Sequence, residues 1–98
     1  MKEYMINLKL PQQIGEDFLV LIPKQRACVN KLMEEGKIIQ YALAADRSLL
    51  WITMIAKSER EVMDILSTLP LINYMNPEIH PLAFHNSISN DLPKLIMN

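Results

Sequence analysis

The chain has 98 residues, with ten Lys and Arg against eleven Asp and Glu, a formal net charge of −1, and half of its residues hydrophobic. One domain of that length buries roughly 65% of its unfolded surface, so it folds with little surplus, and a second copy is expected to help cover so much apolar surface. The charges form no basic stripe and aromatics are sparse, which excludes the phosphate footprint and the stacking platform of a nucleic-acid binder.

Residues 3–10, EYMINLKL, place Tyr4, Ile6, Leu8 and Leu10 on one face and Glu3, Asn7 and Lys9 on the other, the period of a half-buried strand. Pro11 ends it, having no N–H for a ladder. The same N-terminal stretch lacks the apolar core and small-residue cleavage site of a secretion signal. From Ile14 to Glu35 the residues Phe18, Leu21, Ile22, Val29, Leu32 and Met33 recur at helical spacing, with Pro23 expected to kink or restart the helix. Its FLVLI run (18–22) is far shorter than a membrane span, so a cytoplasmic protein is expected. Cys28 on this helix is the only cysteine, which leaves no disulfide framework or zinc spacing and favours an inert thiol. Gly36 stands where a helix C′ residue belongs.

KIIQYALA and LLWITMIA, separated by Asp46, Arg47 and Ser48, predict a hairpin in which Tyr41 alternates with Ile39 and Leu43. Ser58 and Glu61 form a capping box; Val62, Ile65, Leu66 and Leu69 continue a second amphipathic helix that Pro70 stops. The last strand is expected around Glu78 to His85. Met5, Met33, Met54, Met63 and Met75 fall at positions that fit a core.

The order β-α-β-β-α-β predicts an α+β, ferredoxin-like domain over residues 1–88, an antiparallel sheet with two helices on one face. Residues 89–98 form a C-terminal tail expected to dock on a neighbour or to fray. The other sheet face would carry Met5, Leu49 or Leu50, and Trp51 or Ile52. A partner's sheet is its natural cover, because apolar patches of that size mark interfaces.

The segment LSTLPLINYMNPEIHPLAFH (66–85) resembles the C-terminal signature of the muconolactone isomerase family, an LPL-x-x-YM element followed by a strand with an acidic residue, a Pro-Leu pair and a histidine. Leu69, Pro70, Leu71, Tyr74, Met75, Glu78, Pro81, Leu82 and His85 carry the likeness, and Leu10-Pro11 and Gly36-Lys37 are similar to its other joints. The resemblance implies a dimeric α+β barrel, often assembled into higher rings, and a cofactor-free isomerase of small lactones in aromatic-compound breakdown. Where the family tends to carry Glu in its long helix, Gln25 stands here, and Ala42 and Leu43 replace a Trp-Arg pair.

Moving a lactone double bond takes a proton next to a carbonyl and returns one elsewhere, which calls for a base and for a donor or cation facing the enolate oxygen. His85, the family's histidine, is the candidate base, and Lys37 its candidate anion partner. Arg26, Tyr74, Gln25 and Tyr41 are candidate substrate-binding residues. Arg26 suits a carboxylate bidentately, whereas Tyr41 and Tyr74 either donate phenolic hydrogen bonds or simply pack. Glu78 is an alternative base and His80 a strand histidine. The resemblance implies no cofactor, and no metal is expected, since two histidines five apart on a strand face opposite ways. The alternatives are a non-catalytic small-molecule-binding or assembly module on the same barrel, and a cofactor-free monooxygenase.

Overall fold

The computed structural model describes residues 1–88, and the expected tail 89–98 lies outside them. The elements run β1 (Lys2–Lys9), α1 (Glu16–Leu19), α2 (Ile22–Glu34), β2 (Ile38–Leu43), β3 (Leu49–Ala56), α3 (Glu59–Leu66) and β4 (Asn76–Pro81). The strands form one antiparallel sheet in the order β2-β3-β1-β4. Central β1 and β3 pair in register from Lys2↔Ala56 to Lys9↔Leu49, so Tyr4, Ile6, Leu8, Leu50, Ile52 and Met54 share the face beneath the helices. All six are buried, with Ile6, Leu8, Ile52 and Met54 fully enclosed. Truncating any of these four leaves a cavity costing roughly 2–5 kcal/mol.

The helices present the stripes their spacing demands. From α2 come Gln25, Val29 and Leu32; from α3 come Val62, Ile65 and Leu66. Pro23 restarts the chain rather than kinking it: α1 stops at Leu19, and Pro23 occupies the first turn of α2, where no N–H partner is needed. Gly36 follows α2 at φ 76°, a conformation that favours glycine. At α3 the Ser58 hydroxyl accepts the Glu61 N–H at 3.2 Å, one half of the capping box.

Four expectations are corrected. The last strand ends at Pro81 rather than His85: beyond Pro81 the one backbone bond to β1 among the described residues is from the Leu82 N–H to Glu3 O. Tyr41 does not share a straight alternation with Ile39, because β2 bulges between Ile38 and Gln40. The extra residue reverses the parity, so Ile38, Tyr41 and Leu43 face the helices opposite Met54, Ile52 and Leu50. Met33 and Met63 are exposed, being immediate neighbours of the buried Leu32 and Val62 and therefore turned off the core stripe. Met5 is only half-buried, on the far face of the sheet.

Candidate functional site

Between α1, the first turns of α2 and the near end of the sheet lies a cavity of about 460 Å³. Its walls are apolar: Leu10, Ile14, Phe18 and Leu19 on one side, Leu43, Leu50, Leu71 and Met75 on the other. Four polar residues reach it. Gln25 and Arg26 come from α2, Tyr41 from β2 and Arg47 from the hairpin turn. Apolar walls with a few converging polar groups are the usual form of a small-molecule site.

Gln25 is 3% exposed, and both ends of its amide are used. The Leu71 N–H donates to Gln25 Oε1 at 3.0 Å, and Gln25 Nε2 donates to the Tyr41 hydroxyl oxygen at 3.2 Å. Leu71 is presented this way by the LPL-x-x-YM element. After Pro70 it folds into a 3-10 turn over Ile72–Tyr74, with Leu71 O and Leu69 O taken by the turn's own N–H groups. Burial pushes the Tyr41 phenol above its ordinary value of 10.0, only partly offset by the Gln25 donor.

Arg47 enters through backbone geometry. It sits at φ 63°, the left-handed region, in the turn joining β2 to β3. Asp46 Oδ1 accepts from both the Ser48 N–H (3.0 Å) and hydroxyl (2.6 Å), and these bonds hold its exposed carboxyl below the ordinary value. The sequence offered only a polar turn here; the side-chain direction depends on a backbone conformation that non-glycine residues seldom adopt.

The other candidates lie elsewhere. Tyr74 packs edge-on against Phe18, ring centroids 5.5 Å apart, and so backs the cavity wall without lining it. Lys37 lies beside Glu35, 3.6 Å away, at the far end of α2. His85 Nδ1 is 2.9 Å from Glu3 Oε2, tying the segment after β4 to the start of β1. His80 pairs with Glu78 at 2.7 Å. Gln25, Arg26 and Tyr41 are thus brought together, and His85 and Lys37 stand apart from them within one chain. Among the described residues, no cluster of three His, Cys, Asp or Glu groups is placed to hold a metal.

The family profile described as muconolactone delta-isomerase matches residues 4–88. The chain belongs to the muconolactone delta-isomerase family. A crystal structure of muconolactone isomerase superposes with a TM-score of 0.70 at 22% identity, covering 88% of this chain and 93% of that one. At that identity the superposition shows the ferredoxin-like fold. No curated protein matches the chain. No helix among the described residues is long and apolar enough to cross a membrane.

Proposed function

We propose that this member of the muconolactone delta-isomerase family is a cofactor-free, isomerase-like protein whose cavity takes a small lactone or oxo-acid bearing a carboxylate. The observation that carries this reading is that two arginines, Arg26 and Arg47, and the half-buried Tyr41 phenol line one cavity whose walls are mainly apolar. A carboxylate would meet the arginines through charge-assisted bonds. A carbonyl would meet Tyr41, the group suited to an oxygen that gains charge as a proton leaves the adjacent carbon.

A second reading, a binding module without turnover, is favoured by one specific observation. The polar lining consists of Gln25, Arg26, Tyr41 and Arg47, and none of these is a base near neutral pH. An active enzyme would draw its base from outside this lining, and His85 is the candidate.

One experiment separates the two. Unsaturated γ-lactone carboxylates and oxo-acids are incubated with the protein in deuterated water, following deuterium uptake next to the carbonyl by NMR and thermal stabilisation in parallel. Stabilisation with exchange supports the isomerase, and stabilisation without exchange supports the binding module. Neither response from any compound overturns the site. Turnover unchanged in His85→Ala would remove that histidine from the mechanism.

A further inference from the structure

A backbone N–H only donates, so the Gln25 atom facing Leu71 N at 3.0 Å is the amide oxygen, and the amide cannot be flipped. Its other end is therefore the NH2 group, which only donates, and the atom it meets is the Tyr41 hydroxyl oxygen at 3.2 Å. One lone pair of that oxygen is thus occupied from the protein side. The Tyr41 hydrogen has to point away from Gln25. Among the described residues, Tyr41 makes no second side-chain hydrogen bond, and its ring lies along the cavity wall because the β2 bulge turns it to that side.

We infer that Gln25 orients Tyr41 as a hydrogen-bond donor into the cavity, so that the site favours ligands presenting an acceptor oxygen at that point over their apolar isosteres. The inference rests on the proposed carboxylate-binding site and adds the chemistry of its second subsite. Gln25 is a positioning residue in this scheme: it touches no ligand through the bond that matters and acts through the direction of the phenolic hydrogen.

The test uses two isosteric probes on the full chain: 3-oxocyclopentanecarboxylate and its 3-methylene analogue. Both carry the carboxylate, and they differ only in presenting an acceptor or nothing. Isothermal titration of the wild type is expected to favour the oxo probe over the methylene probe by about threefold to tenfold, the worth of one neutral hydrogen bond. In Tyr41→Phe the oxo-to-methylene ratio falls to about one. In Gln25→Glu, which keeps the shape and the bond from Leu71, a carboxylate oxygen takes the Tyr41 hydrogen and turns it from the cavity. The same ratio then collapses, and because it is a ratio, the added charge cancels between the two probes. Equal binding of oxo and methylene probes by wild type overturns the inference while leaving the carboxylate site standing. Failure of both probes to bind removes the carboxylate site and the inference with it.

Discussion

A glutamine amide carries two donors and an acceptor, and at 3% exposure Gln25 has almost no water to satisfy them. It bridges the α2 helix to the turn after α3 and to strand β2, three parts of the chain far apart in sequence. Gln25→Leu keeps the volume but leaves the Leu71 N–H buried without its acceptor. A loss of roughly 1–3 kcal/mol in unfolding free energy is expected, read from urea denaturation; a change under about 0.5 kcal/mol would mean the bridge is not structural. The phenol beside it makes a separate prediction. Because Tyr41 is raised above 10.0 in the fold, the folded state holds its proton more tightly than the unfolded chain. That contribution is complete below pH 10.0 and is lost as pH rises through the folded value. Stability measured from pH 9 upward should therefore fall less steeply in Tyr41→Phe than in the wild type, and parallel curves would show that another group carries the alkaline loss.

Helix stripes and the β1 face were legible from the sequence because each follows one unbroken period: Tyr4, Ile6 and Leu8 at every second residue, Val62, Ile65 and Leu66 at helical spacing. The site was legible only in part. Gln25 was reached through the family resemblance, Arg26 as its neighbour on the long helix, and Tyr41 as a residue on β2. The bulge that aims Tyr41 was not legible, since KIIQYALA alternates straight through it and register is set by pairing with β3. Arg47 was missed for a related reason: its direction depends on a left-handed backbone in the hairpin, and nothing in Asp-Arg-Ser requires one. That turn allows stability and function to be separated. Arg47→Gly relieves a conformation costing a side-chain-bearing residue about 1–2 kcal/mol and gives back about 0.5–1 kcal/mol in chain entropy. The melting temperature is expected to hold or rise while affinity for a carboxylate probe drops about tenfold or more, as for a lost charge-assisted bond. A variant that melts earlier and binds as well as wild type would reverse the assignment of both roles.

At the scale of the whole molecule, one face of the sheet has helices and the other has none. The uncovered face carries Met5, Leu49, Trp51 and Ile55 among Asn7, Gln40, Glu78 and His80. Trp51, at 37% exposure, stands near its centre, opposite Asn7 on one side and Ala42 on the other. Thr53 beside it is already 1% exposed, its hydroxyl shared between Gln40 Oε1 at 3.2 Å and Met5 Sδ at 3.4 Å. An indole and aliphatic side chains around a threonine hydroxyl already out of water are poorly suited to bulk solvent and well suited to a second sheet. A partner identical to this chain would also satisfy the composition: half the residues are hydrophobic in a domain with room for only one core. Self-association through this face is therefore expected, and Trp51→Glu is the change that tests it, since a carboxylate there would lose its water on assembly. Sedimentation velocity should give an assembled species for the wild type and a monomer for the variant at the same concentration. Circular dichroism should be unchanged, because Trp51 contributes nothing to the core beneath the helices. An assembled mass in both proteins would mean that copies meet elsewhere, and a monomeric wild type would leave the outer face to a different partner.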